Sequence, residues 1–329
     1  MHQIATHPGM VTFSAQLQNA TGKIRFKLTN DYMFRATFQK NRKALIGLVS
    51  ALLGISPEDI ESIEILNPIE LGKYIEDKDF ILDLKVLLNN NTTILIEMQV
   101  LNLGNWPERS LGYLCRSFDD LNKGQNYLEA KPVVQVSFLD FTLFKDSPDF
   151  FGTYKFMNTK NHKIYSDKLT LHVVDLTQID NASEEDKLRG IEYWARLFKA
   201  DTWEEIKMLA SNNSFMTEAA ETVYQLSAED RIRYQCEARE DFYNQQRYLQ
   251  QWRERLEKEA ETLSQKNETL SQKNETLTQK NEALTREAEA LTQKNEQLIQ
   301  SNALKDEELA AKDELIARLQ AELSRQKEK

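Results

Sequence analysis

Leucine recurs at every seventh residue over the last third of the chain, and this repeat constrains the fold more than any other feature of the sequence. Eight leucines run in this spacing from Leu249 to Leu298. If they occupy position d of a heptad, the a positions fall four residues later and continue through Leu309, Ile316 and Leu323. An a/d pattern sustained over about ten heptads is typical of a coiled coil. The sequence therefore predicts a coiled coil over residues 249–326.

The core of this coil is unusually polar. Asparagine fills successive a positions at Asn267, Asn274 and Asn281, while the g positions are mostly lysine and the e positions serine or threonine. A buried asparagine at position a fixes register at a cost in stability, and the usual ion pairs between g and e are missing here. We predict weak self-association as a parallel, in-register dimer. The alternative is a single solvated helix, against which the unbroken leucine repeat argues.

Charge is distributed unevenly along the chain. The formal net charge is −10, so the protein cannot hold nucleic acid by bulk charge. Within this acidic chain, residues 23–43 carry seven lysines and arginines and the single acid Asp31. The plain interpretation of that segment is a solvated helix face.

Composition and local pattern predict the compartment and the domain boundaries. The two cysteines form no C-x-x-C motif, the longest apolar run (Ala44–Ile55) is too short for a membrane span, and the first residues lack a signal peptide pattern. We therefore expect a cytoplasmic protein without a membrane partner. The predicted organisation is, in chain order, a flexible leader at 1–22, an α/β domain at 23–180, a helical extension at 181–248 and the coil.

Several common catalytic sites are excluded by their missing motifs. The sequence contains no G-x-x-x-x-G-K-[ST], no G-x-G-x-x-G and no G-x-S-x-G, and its four histidines lack zinc-ligand spacing. The remaining candidate is a site built from the carboxylates of Asp and Glu side chains.

Residues 79–100, DFILDLKVLLNNNTTILIEMQV, predict two strands around an asparagine-rich turn. If the turn centres on Asn90, Asp83 lies across from Glu97 in the middle of the hairpin. Like charges in that position are destabilising, and a divalent cation between them would convert repulsion into bonding. Oxygen ligands of this kind suit Mg²⁺ or Mn²⁺. The alternative is the wet face of an amphipathic hairpin, and a one-residue shift in register would separate the two acids.

Five sequence blocks resemble one family. In order they are TNDYMFRATF at 29–38, ILDLKV at 81–86, ILIEMQV at 94–100, ERSLGYLCRSFDDLNKGQNY at 108–127 and KPVVQVSFLDFTLF at 131–144. An acid on one strand followed by E-x-K or E-x-Q on the next resembles the core of PD-(D/E)XK nucleases, and especially the recombination-promoting nucleases, also described as PD-(D/E)XK family transposases. The resemblance covers roughly residues 23–245.

This resemblance implies an α/β fold with a mixed sheet flanked by helices, as in restriction endonucleases, and a Mg²⁺-dependent DNA endonuclease. Asp83 and Glu97 would hold Mg²⁺ or Mn²⁺, with the backbone carbonyl of Met98 completing the coordination. Asp31 would be an additional acid near the metal and Asn30 a hydrogen-bonding helper. First-turn capping of a helix is an alternative role for Asn30 and Asp31.

The third motif position departs from the family pattern, because Gln99 stands where lysine is usual. Glutamine can orient a water but supplies no charge, so the role of the lysine is unfilled or falls to Lys85 or Lys78. The expected DNA partner would contact basic and polar residues near the site, namely Asn30, Arg35, Lys40, Lys43, Lys85 and Arg109.

The sequence thus favours a metal-dependent DNA endonuclease that hydrolyses phosphodiester bonds in recombination or transposition-like processes. The alternative is an inactive or catalytically weak nuclease fold that acts as an oligomeric DNA-binding or interaction scaffold through its coil. The carboxylate pair argues for the enzyme, whereas Gln99 and the net charge argue for the scaffold.

Overall fold

The computed structural model describes residues 13–66, 69–70, 80–119, 124–211 and 213–327. These residues form eight strands and nine α-helices. The strands are β1 (Ile63–Leu66), β2 (Ile69–Glu70), β3 (Phe80–Ile81), β4 (Leu84–Leu88), β5 (Thr92–Gln99), β6 (Val133–Leu139), β7 (Phe151–Tyr154) and β8 (Leu169–Asp175). The helices are α1 (Ala15–Asn19), α2 (Asp31–Lys40), α3 (Arg42–Leu53), α4 (Trp106–Phe118), α5 (Glu184–Arg189), α6 (Ile191–Lys199), α7 (Trp203–Ala210), α8 (Ser214–Ser227) and α9 (Asp230–Lys327).

A mixed six-stranded sheet with the order β1-β4-β5-β6-β8-β7 forms the centre of the first unit of the chain, Met1–Leu249. The pairs β5/β6 and β6/β8 are parallel, and the outer pairs are antiparallel. β2 and β3 form a separate two-stranded sheet. A mixed sheet flanked by helices confirms the predicted fold class.

The hairpin register predicted from the sequence is confirmed. Leu84 pairs with Ile96 and Leu88 with Thr92, so the turn centres on Asn90. Asn89 and Asn90 have positive φ angles of 47° and 55°, a conformation that asparagine tolerates better than most residues. The expected first strand is wrong in one respect, because β4 begins at Leu84 and Asp83 lies in the bend just before it.

Helices cover both faces of this sheet. One face carries a large core shared with α2, α3, α6 and α8, whereas α4 packs on the other face, where its Leu114 lies in one cluster with Leu95 of β5 and Val133 of β6. Every residue of β5 from Thr93 to Met98 is consequently buried. The hairpin therefore has no wet face at Glu97, which is 1% exposed, and the wet-face alternative is wrong.

Five aromatic rings tie the helical layer to the sheet. Phe198 on α6 makes edge-on contacts with Phe34 of α2 and Phe138 of β6, with ring centroids 5.5 and 5.0 Å apart, and it also contacts Phe38 and Trp194. Such pairs each add about 0.5–1.5 kcal/mol beyond the burial of their area. They fix α2, and therefore its first residue Asp31, against the central strands.

Residues outside the expected α/β domain also belong to this core. Trp194, Ile206, Val223 and Cys236, from the range expected to be a helical extension, are buried in the same apolar cluster as the sheet. Within the expected leader, the described residues include α1, whose Leu17 is fully buried. Helices α6 to α8 are amphipathic and need a partner for their apolar faces, and the sheet core provides it.

The second unit of the chain is Gln250–Lys329, and its described residues are helical and belong to α9 (Asp230–Lys327). The seven leucines from Leu256 to Leu298 are 44–61% exposed in the single chain. Among the described residues, no helix is both long and apolar enough to span a bilayer.

Candidate active site

The acids singled out from the sequence converge on one cavity of about 320 Å³. Asp31 is the first residue of α2, Asp83 precedes β4 and Glu97 lies near the end of β5. Arg35, Arg109 and Arg239 line the same cavity. Three acids and three arginines therefore face a partly enclosed space beside the end of the central parallel strands.

The carboxylates of Asp83 and Glu97 each accept a hydrogen bond from a backbone N–H group. The backbone N–H of Asp83 donates to Glu97 Oε1 at 2.9 Å, and the backbone N–H of Met98 donates to Asp83 Oδ2 at 2.8 Å. These bonds use one oxygen of each carboxylate and orient both side chains into the cavity. The bend at Asp83 makes this possible, because a residue in the ladder would pair its N–H with the neighbouring backbone instead.

Burial and mutual repulsion disfavour the state in which both carboxylates are ionised. Burial raises the pKa of Asp83 to about 7, with a further rise from the nearby charge of Asp31. Burial also raises the pKa of Glu97 well above its ordinary value, and the charge of Asp83 adds to the effect. Arg35, Arg109 and Arg239 act in the opposite direction without cancelling these shifts. Strongly raised carboxylate pKa values in a cleft are typical of functional sites.

Asp31 is neutralised by a residue that sequence reasoning missed. Arg239 on α9 donates from Nε to Asp31 Oδ1 at 2.8 Å and from Nη2 to Asp31 Oδ2, so the guanidinium binds both oxygens of the carboxylate. Phe242 and Tyr243 flank this guanidinium. The two partners are 208 residues apart in sequence. No local pattern in the sequence could have indicated this contact.

Arg109, which the sequence predicts as a basic residue near the site, lines the carboxylate cavity. Its Nη1 donates to Gln99 Oε1 at 3.1 Å, its Nε donates to Tyr113 Oη at 2.7 Å and its Nη2 lies 3.6 Å from Glu97 Oε2. The guanidinium also lies 5.3 Å from the ring centre of Trp106. A fixed positive charge therefore stands beside Gln99, where the family pattern has a lysine.

The remaining predicted residues have other surroundings. Asn30 caps α2, with its Oδ1 accepting from the N–H groups of Tyr32 and Met33 and its Nδ2 donating to Cys236 O. This is the capping alternative raised by the sequence. Asn30 does not line the carboxylate cavity.

The predicted lysines do not line this cavity either. Lys40 and Lys43 form ion pairs with Glu229 and Glu218 at 2.7 and 3.1 Å. Lys85 lies on β4, opposite Leu95. Lys78 lies outside the described residues.

The donor set suits a hard divalent cation in part. Asp83 and Glu97 offer buried carboxylate oxygens, and Met98 also lines the cavity between them. A cation here would relieve the repulsion that raises their pKa values. In the described part of the chain no group of three or more His, Cys, Asp or Glu side chains is placed to hold a metal.

One of three comparisons with known proteins gave a match. Neither the curated proteins nor the solved structures compared with the chain gave a significant match. The family model for PD-(D/E)XK nuclease family transposases matches residues 28–251, which include every described residue that lines the cavity. The chain therefore belongs to the PD-(D/E)XK nuclease family transposases.

Proposed function

We propose that the protein is a metal-dependent DNA endonuclease that hydrolyses phosphodiester bonds during recombination or transposition-like DNA processing. The observation that carries the proposal is the buried Asp83–Glu97 pair, oriented by two backbone N–H groups. A fold has no structural need for two repelling buried acids, and one cation would satisfy both.

Asp83, Glu97 and the backbone carbonyl of Met98 would hold Mg²⁺ or Mn²⁺. When bound, such an ion would act as a Lewis acid on the phosphodiester and lower the pKa of a water molecule. The other contributions come from the chain itself. Gln99 would orient the attacking water, Arg109 would stabilise negative charge that develops on the phosphate, and Arg35 would contact the DNA backbone.

The experiment that tests this proposal is relaxation of supercoiled plasmid by the purified protein with Mg²⁺ or Mn²⁺ and with EDTA. Nicking that requires the metal supports the enzyme. Binding of DNA without cleavage under any divalent metal would instead favour the scaffold, which the replacement of the motif lysine by Gln99 keeps as the second candidate.

Arg109 is expected to carry the electrostatic role of the missing lysine. The variant Arg109→Ala should lower the cleavage rate at saturating metal by roughly 10- to 100-fold, the usual effect of removing a group that supports metal ligands. Arg109→Lys should recover part of the rate, because the charge remains while the forked contact to Gln99 and Tyr113 is lost. Single-turnover cleavage measures both variants. Arg231→Ala, at an exposed arginine on α9, is the control.

Self-association is proposed to occur through residues 249–326 as a parallel dimer. Pairing identical helices in register would cover the exposed leucines and place each a-position asparagine beside its own copy, so that the amides can bond each other. A chain ending at Leu249 should sediment as a monomer under conditions where the full chain sediments as a dimer. An unchanged oligomer after truncation would locate the interface elsewhere.

A further inference from the structure

A second cavity, of about 240 Å³, lies along α4 and shares no residue with the carboxylate cavity. Its wall is almost entirely apolar and comes from α4, β8 and the segment around β7, including Leu114, Leu171 and Val173. The proposed reaction at Asp83 and Glu97 makes no use of it.

Three exposed aromatic side chains surround this cavity. Phe144, Tyr154 and Phe156 line it and are 43%, 42% and 51% exposed. The ring of Tyr154 rests over Gly152, where a Cβ atom would come within 2.9 Å of it. Because Gly152 has no Cβ atom, the ring of Tyr154 can lie against the backbone there while it stays partly exposed at the surface. Clustered exposed apolar groups around a concavity usually mark a binding site.

A buried tryptophan forms one part of the cavity wall. Trp106 lines the cavity and is 2% exposed, and its Nε1 is itself buried, without a hydrogen-bond acceptor among the described residues. Because that nitrogen is closed to solvent, the indole contributes apolar surface to the cavity rather than a hydrogen bond. A ligand that fits here should therefore present a flat apolar face.

The charge of residues 144–168, the segment that contributes Phe144, Tyr154 and Phe156 to the cavity, indicates the ligand class. Residues 144–168 contain five lysines and three aspartates, in a protein whose net charge is −10. Lys155 pairs with Asp167 at 2.8 Å, whereas the exposed Lys145, Lys160 and Lys163 form no ion pair within the described structure. Exposed aromatic rings interleaved with lysines are typical of surfaces that bind single-stranded nucleic acid.

We propose that this cavity binds an unpaired nucleobase of the DNA, stacked on Tyr154 and Phe156. The nearby lysines face the adjoining phosphates. The inference rests on the proposed function, since it takes the ligand to be nucleic acid. The two cavities are linked through a direct contact. The ring of Trp106, which lines the second cavity, lies against the guanidinium of Arg109, which lines the first cavity and bonds Gln99.

The test is binding of two labelled single strands of equal length, one of thymidine and one abasic, measured by fluorescence anisotropy in EDTA. Their phosphates are the same, so only a site for bases distinguishes them. The wild type should bind the thymidine strand more tightly. Tyr154→Ala and Phe156→Ala should each reduce this preference, with a loss of roughly 5- to 150-fold for a stacking residue.

Tyr193→Ala is the matched control, because Tyr193 is 50% exposed on α6 away from the cavity and its loss should leave both affinities unchanged. Equal binding of the two strands by the wild type would overturn the inference while plasmid cleavage still supported the nuclease. A Phe156→Ala change that alters only the protein's own sedimentation would show that a second copy covers the patch. Failure of both DNA binding and cleavage would overturn the inference and the proposed function together.

Discussion

Replacing Glu97 with glutamine is expected to reduce metal-dependent plasmid cleavage by more than about a hundredfold while the protein remains folded. Loss of groups that merely support metal ligands costs about 10- to 100-fold, so loss of a ligand itself should cost more. Glutamine has nearly the same shape and keeps an oxygen that can accept the backbone N–H of Asp83. It lacks the charge that would hold the cation. Asp83→Asn should have the same effect for the same reason.

Single-turnover cleavage over a range of Mn²⁺ concentrations measures this loss, and circular dichroism checks the fold. Glu64→Gln is the matched control, because Glu64 is an exposed glutamate on β1 of the same sheet. Its cleavage rate should equal that of the wild type. Cleavage by Glu97→Gln at the wild-type rate would remove Glu97 from the proposed machinery even if the protein proved to be a nuclease.

The sequence was sufficient to predict that Asp83 and Glu97 lie opposite each other. The asparagine turn fixes which residues of β4 and β5 face each other, and register is a local property of a hairpin. The alternation of apolar and polar residues could not show whether Glu97 faces solvent or is covered by another element, because both cases give the same pattern along the strand. That answer depends on α4, which packs over Leu95 and buries Glu97.

The contacts of the arginines around these acids could not be predicted from the sequence. Arg109 was recognised as a basic residue near the site, but its direction follows from the packing of α4 against β5. Arg239 reaches Asp31 across 208 residues of chain, and the sheet and six further α-helices lie between the two residues in sequence. Contacts of this kind arise from the tertiary fold and leave no periodic signal in the sequence.

Without divalent metal, the protein is expected to lose stability as the pH rises from about 4 to about 7, and Asp83→Asn should lose less. The folded pKa of Asp83 is about 7, against an ordinary value of 3.8. Between these values the folded state keeps a proton that the unfolded state has released, so the free energy of unfolding falls with increasing pH. The pKa of Glu97 is shifted in the same direction, so this acid adds to the effect.

The wild type should therefore be less stable than Asp83→Asn at pH 8, by on the order of 2–4 kcal/mol, and nearly equal to it at pH 4. Urea unfolding at the two pH values measures the difference. Adding Mg²⁺ at pH 8 should restore the wild type, by about 2.7 kcal/mol at a hundred times the dissociation constant, and should leave Asp83→Asn unchanged. Equal stabilisation of both proteins would place the cation elsewhere. A wild type that gains nothing from any divalent metal would leave the two acids as a protonated structural pair.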